Sequence, residues 1–161
     1  VWQLCFQSVN TFTLLFERFT QPLLDRAQAP KRIMVDMSAT LLHHGHVRLL
    51  KQAKELGHVI VGLTSDNDLK ALKKLDTELS FHERREILLA LSDVDEVVQT
   101  PWLLTNQVLD DHNIDLLVHG DDNQNHISKE RLVIFPRTDG VSSELMRKRA
   151  AKNIQSQSVK G

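Results

Sequence analysis

Residues 32–64 read RIMVDMSATLLHHGHVRLLKQAKELGHVIVGLT. Two short apolar runs, residues 32–37 and 59–63, have the length and composition of buried strands. Between them Leu49, Leu50, Ala53 and Leu56 return at helical spacing, and Gly57 is a natural stop for that helix. Strand, helix and strand in this order predict one unit of an alternating α/β fold.

The rhythm continues outward. Ser65 or Asp66 is placed to cap a short helix carrying Lys70, Lys73 and Lys74. Ser80 and Glu83 form a capping box ahead of Ile87, Leu88 and Leu91. Residues 94–98 read as a third strand, and Thr100 followed by Pro101 as the start of a further helix with proline in its first position. Residues 116–119 and 132–135 complete about five strands, and Ser142 caps a closing helix that runs to Arg149. The predicted architecture is α/β: a Rossmann-like, doubly wound parallel sheet of about five strands with helices on both faces. Ligands bind such sheets at the carboxyl ends of the strands. Four polar clusters, residues 38–46, 64–66, 120–123 and 137–143, each follow a predicted strand and so share that edge.

The flanks read differently. Residues 1–30 carry Trp2, Leu4, Phe6, Val9, Phe12, Leu15, Phe16 and Phe19 without clean periodicity, and Pro22 and Pro30 punctuate them. An appendage of one or two helices is expected there, followed by the main domain over 31–152 and a polar, frayed tail over 153–161. The chain opens on Val1, so either residues upstream or a fragment is expected. The N-terminal stretch lacks the basic start and small-residue cleavage site of a signal peptide, and no apolar run reaches the ~20 residues of a membrane span. The 161 residues hold 20 basic and 21 acidic side chains, a net charge of -1, which gives no global field for nucleic acid or membrane. Cys5 is the single cysteine and suits a reducing compartment, so a cytoplasmic location is expected.

Two segments carry chemistry. In His43-His44-Gly45-His46, Gly45 permits close backbone approach, and the helix beginning there aims free N–H groups at an anion. His43 and His46 can converge on one spot and donate to oxygens gaining charge, while His44 points elsewhere. The tetrapeptide by itself fits nucleotidyl transfer, a surface histidine cluster or a metal site, and the last would need further ligands. In Arg137-Thr138-Asp139-Gly140-Val141-Ser142-Ser143, the arginine can clamp phosphate and the turn and cap leave N–H groups facing the same anion. Alone, it is also an ordinary strand–turn–helix junction.

HHGH, then Gly120-Asp121-Asp122, then RTDGVSS, in this order and spacing, resemble the cytidylyltransferase family within the HxGH nucleotidyltransferases, and the glycerol-3-phosphate enzymes in particular. Leu41-Leu42 before HHGH, residues 94–98 and residues 111–115 add matches, so the resemblance spans roughly residues 32–149. It implies an enzyme that moves a cytidylyl group from CTP to a small phosphorylated or phosphonylated alcohol and releases pyrophosphate. It further implies that His43 and His46 stabilise the α-phosphate region, and that one lysine of the group at 70–74, Lys73 by choice, reaches the phosphates. Arg137 and Thr138 would hold the triphosphate, and Ser142 and Ser143 its far end. Ser38, Ala39, Gly45, Gly120 and Asp121 would complete the nucleotide site, Asp121 near the cytosine or ribose. Thr40 and Arg84 would lie toward the acceptor or a dimer contact, with a structural ion pair the equal alternative for Arg84. Mg²⁺ is expected with CTP, held by substrate oxygens and no protein side chain. A homodimer is expected.

The chain departs from the family pattern GxFDxxHxGH. Met37 replaces glycine, Ala39 the aromatic residue and Thr40 the acid, and Asn123 follows GDD where the glycerol-3-phosphate enzymes carry tryptophan. An altered acceptor, such as a hydroxyalkylphosphonate, is the expectation. An adenylyltransferase of the same superfamily and a non-catalytic nucleotide-binding domain are the alternatives. His58, His82, His112 and His126 are expected to be solvated, His119 to be a satisfied structural histidine facing the crevice, and Trp102 to be core or interface.

Overall fold

The computed structural model describes residues 29–158. The appendage expected over residues 1–30 therefore falls, all but its last two positions, outside the described residues. Strands β1 (Arg32–Met37), β2 (His58–Thr64), β3 (Glu96–Thr100), β4 (Leu116–Gly120) and β5 (Leu132–Phe135) form one sheet in the order β3-β2-β1-β4-β5. Every pairing is parallel, and β1 lies in full register on β2, from Arg32 opposite His58 to Met37 opposite Leu63. The connecting helices are α1 (His44–Lys54), α2 (Asp66–Lys73), α3 (Phe81–Leu89), α4 (Asn106–Asp111) and α5 (Ser143–Ser158). This is the expected Rossmann-like sheet, and its strand order reverses between β1 and β4.

Alternate residues of each central strand feed two separate cores, because side chains on a strand point to opposite faces in turn. Ile33, Val35, Val59, Val61 and Leu63 pack with Leu50 and Ala53 of α1 and Leu88 of α3. Met34, Ile60 and Leu117 pack on the other face with Leu104, Leu109 and Ile114. Both faces are covered, which is why β1 and β2 read as continuous apolar runs.

Several expected boundaries move. The third strand is Glu96–Thr100, not residues 94–98. Val94 is buried, which produced the apolar signal, but it lies in the turn before the strand. Asp95 ends that turn, its backbone N–H donating to Val59 O at 3.0 Å and its carboxylate accepting from Val59 N–H at 2.7 Å. No helix begins at Pro101; α4 starts at Asn106 behind Thr105. Asn125 Oδ1 accepts the Leu104 N–H at 2.8 Å and Leu104 O accepts the His126 N–H at 3.1 Å, which hold this stretch extended. The closing helix passes Arg149 and the expected boundary at 152 and runs to Ser158. Residues 150–158 contain neither glycine nor proline, and Ala150 and Ala151 favour helix. At the amino edge of the sheet His58 is not merely solvated: its Nε2 lies 2.8 Å from Glu96, which also receives Arg32 at 2.9 Å.

Candidate active site

The sequence HHGH folds into the first turn of α1. His43 is extended and caps the helix, and its backbone N–H donates to His46 Nδ1 at 3.3 Å. The two rings stack with centroids 3.8 Å apart and planes 25° from parallel. Because Nδ1 of His46 accepts, its proton sits on Nε2. Burial pushes the His46 imidazole down to about 3, with His43 and Arg137 adding to the shift. Burial, His44 and Arg137 likewise lower His43. Both rings are therefore neutral at physiological pH and can present N–H donors. A Cβ on Gly45 would stand 3.0 Å from His43 Nδ1 and 3.1 Å from Val141 Cγ1, so a side chain here would crowd the His43 ring and the far wall of the cleft. His44 is exposed and outside the cleft, as expected.

RTDGVSS supplies the opposing wall. Ser142 Oγ accepts the Leu145 N–H at 3.1 Å and caps α5. The Ser143 hydroxyl donates to Leu41 O at 3.1 Å and ties the start of α5 to the loop before HHGH. Arg137 donates to Asp122 Oδ2 at 2.6 Å. Gly120 makes room for that pair, since a Cβ there would lie 2.9 Å from Asp122 Oδ1 and 3.1 Å from Arg137 Cγ.

His43, Gly45, His46, Lys73, Gly120, Arg137, Thr138, Ser142 and Ser143 all line one cleft of about 800 Å³ at the carboxyl edge of the sheet. Ser38 and Thr40 line it too, and Thr40 Oγ1 accepts from Arg147 Nη2 at 2.9 Å. Arg147 is held in turn by Glu78. Of the three candidate lysines, Lys73 faces the cleft, with its ammonium 4.3 Å over the Trp102 ring. Desolvation lowers its pKa, opposed by Asp122. Lys70 pairs instead with Asp76 at 3.0 Å, and Lys74 turns the chain at the end of α2.

Three expected site residues sit elsewhere. Asp121 is exposed and outside the cleft; its neighbour Asp122 enters and meets Arg137. Ala39 is buried with φ 44, so its side chain packs in the core and is not part of the cleft lining. Arg84 is 1% exposed and outside the cleft lining, and of its two expected roles the structure supports the structural ion pair, with Asp66. Its guanidinium donates to Ser38 O, to Thr64 O at 3.0 Å and to Asp66 Oδ1 at 2.6 Å, pinning the ends of β1 and β2 that floor the cleft. Trp102, read as core or interface, lines the cleft, as does Arg147. Neither carried a motif: they arrive from a loop and from the second turn of α5.

A cytidylyltransferase-like family model matches residues 39–159. The chain belongs to the cytidylyltransferase-like family of nucleotidyltransferases. Glycerol-3-phosphate cytidylyltransferase of Bacillus subtilis (strain 168) is 33% identical over 126 residues, covering 75% of this chain and 98% of the relative. The probable choline-phosphate cytidylyltransferase of Schizosaccharomyces pombe is 38% identical over 115 residues, 68% of this chain but 32% of the relative. An ethanolamine-phosphate cytidylyltransferase of Arabidopsis thaliana is 34% identical over 103 residues, 60% of this chain and 24% of the relative. The fold matches that of the lipopolysaccharide core biosynthesis protein from Thermoplasma volcanium GSS1 with a TM-score of 0.58 at 18% identity, over 68% of this chain and 98% of that one.

Proposed function

We propose that this protein transfers a cytidylyl group from CTP to a small phosphorylated or phosphonylated alcohol and releases pyrophosphate. The observation that carries the reading is the convergence of the stacked His43 and His46 imidazoles with Arg137 on one cleft, in a chain of this family. An oxygen of the acceptor's phosphate or phosphonate attacks the α-phosphorus, the bond from that phosphorus to the β-phosphate oxygen breaks, and pyrophosphate leaves. The nucleophile is already an anion, so no side chain must take a proton or become attached. The protein's share is positioning and charge stabilisation. Neutral imidazoles suit this work: the Nε2–H of His46 is fixed by the backbone bond at Nδ1 and reaches oxygens as they gain charge. Arg137, Lys73 and the amino end of α5 supply the positive field for the leaving group.

Mg²⁺ would contribute charge neutralisation on the triphosphate. The side chains suit a metal carried mainly by substrate oxygens: of the cleft carboxylates, Asp122 is paired with Arg137 and Glu144 with Lys148, and among the described residues no three His, Cys, Asp or Glu side chains gather to hold a metal with Asp36. A homodimer belongs to the same reading, and sedimentation velocity measures it.

At the site of the family's usual acid, Thr40 is bonded to Arg147, so a guanidinium stands where a cationic head group would need a carboxylate. This favours acceptors whose remaining part is neutral or anionic over phosphocholine and phosphoethanolamine. The test is coupled pyrophosphate release with CTP against glycerol 3-phosphate, ribitol 5-phosphate, small hydroxyalkylphosphonates, phosphocholine and phosphoethanolamine. Turnover confined to the first three supports the reading. A preference for phosphocholine, or CTP binding without turnover on any acceptor, contradicts it.

A further inference from the structure

Beneath the phosphate-binding groups lies a polar cluster that the reaction described above does not use. Asp36, at the penultimate position of β1, and His119, at that of β4, both line the cleft with side chains 13% and 20% exposed. Their strand positions share the face of Met34 and Leu117, opposite the face covered by α1. Asp36 Oδ2 is satisfied by Asn125 Nδ2 at 2.9 Å. Its Oδ1 is buried without a hydrogen bond among the described residues, and His119 Nε2, 3.4 Å away, does not supply one. The other ring nitrogen of His119 lies 3.0 Å from Gly120 O, and a carbonyl can only accept, so Nδ1 carries a proton. An unsatisfied carboxylate oxygen in a desolvated floor costs stability unless something completes it. Burial accordingly raises the Asp36 pKa, partly offset by His119 and Asn125.

We infer that Asp36 Oδ1 is a specificity-determining acceptor that takes an N–H or O–H donor of bound substrate. This rests on the cleft being the nucleotide and acceptor site. Two sources share the chemistry: an amino group on the base and a hydroxyl of the ribose or of the acceptor alcohol. The orientation of the cluster is fixed from behind. Asn125 Oδ1 is committed to the Leu104 N–H at 2.8 Å, so its Nδ2 must face Asp36. In Asp36→Asn the new amide oxygen keeps the Asn125 bond and its NH₂ turns toward the cleft. An acceptor becomes a donor with almost no change of shape.

The experiment compares wild type, Asp36→Asn and Asp36→Ala in the full chain. It measures calorimetric binding of CTP and of each phosphorylated alcohol separately, KM for each where turnover occurs, and thermal midpoints. The expected result is a loss of roughly tenfold or more in affinity for one ligand, the size of a bond to a charged group. Asparagine should damage binding at least as much as alanine while leaving the midpoint unchanged or higher. Loss confined to CTP assigns the donor to the nucleotide; loss confined to the alcohol assigns it to the acceptor. A purely structural Asp36 gives the reverse pattern, with alanine lowering the midpoint most and affinities for both ligands within twofold of wild type, and overturns the inference. Because binding decides, absent turnover in wild type would count against the proposed reaction and leave this comparison intact.

Discussion

The backbone N–H of His43 donates to Nδ1 of His46 across the first turn of α1, and the two rings stack 3.8 Å apart. A residue pair that caps a helix thus also aims a neutral imidazole N–H into the cleft. His46→Ala removes the aimed donor, and losing one such donor typically costs ~3–4 kcal/mol in barrier. Turnover in a pyrophosphate-release assay should fall by about a hundredfold or more, with a much smaller change in KM for CTP. A kcat within threefold of wild type would remove His46 from the mechanism.

The same burial couples His46 to pH. Its folded pKa, pushed down to about 3, lies below the ordinary imidazole value of ~6.5, so the folded chain binds fewer protons than the unfolded one. The associated stability is complete above about pH 6.5 and is lost progressively as pH falls toward the folded value. His43 shifts in the same direction, whereas the lowered carboxylates Asp66, Asp95 and Glu96 begin to lose their share only near ~4. Urea midpoints should therefore fall between about pH 7 and pH 5, and fall less in His46→Asn, whose side-chain oxygen can still accept the His43 N–H. Parallel pH profiles in the two proteins would contradict the assignment.

Much of this was legible in the sequence, and what was not has physical causes. Residues 33–35 and 59–63 are buried, with both faces of the sheet covered, so they read as apolar runs that mark both strands. HHGH and RTDGVSS are local motifs whose convergence follows once β1 and β5 are parallel and their following helices share an edge. Val94 misled because a buried turn residue and a strand residue look alike without the Asp95 and Val59 bonds that fix the register. For Arg84 the sequence leaves an acceptor or dimer contact and a structural ion pair level; only the fold decides, by turning it onto Ser38 O, Thr64 O and Asp66. His119 was legible from its place at the end of β4, facing the crevice, whereas Trp102, Arg147 and Asp36 reach the cleft from segments far apart in sequence, and no local spacing announces such a meeting.

Arg84 makes a stability prediction. Replacing it by lysine keeps the charge but cannot serve Ser38 O, Thr64 O and Asp66 from one planar fork. Leaving buried carbonyls without donors costs about 1–3 kcal/mol each, so Arg84→Lys should lose roughly 2–4 kcal/mol in denaturant unfolding. A loss below about 0.5 kcal/mol, the range of ordinary surface substitutions, would refute the latch.

The lysines separate cleanly. Lys74 is exposed and ends α2 with φ 54, a conformation that costs a non-glycine residue roughly 1 kcal/mol. Lys74→Gly should stabilise the protein by about that amount and leave turnover unchanged. Lys73→Ala, which empties the position over Trp102, should lower kcat/KM for CTP by about tenfold or more, the worth of a charge-assisted contact. If Lys74→Gly carries the loss and Lys73→Ala does not, the assignment of the phosphate-contacting lysine is reversed.

In the proposed reaction the cleft binds and activates CTP. The most direct test of that role is pyrophosphate release by the wild-type chain with Mg²⁺ and an active acceptor, with CTP and ATP supplied separately at equal concentration. Release from CTP at many times the rate from ATP, with a cytidine diphosphate-linked product in the ³¹P NMR spectrum, is the predicted result. Equal or faster release from ATP, or no release from either nucleotide, would contradict it.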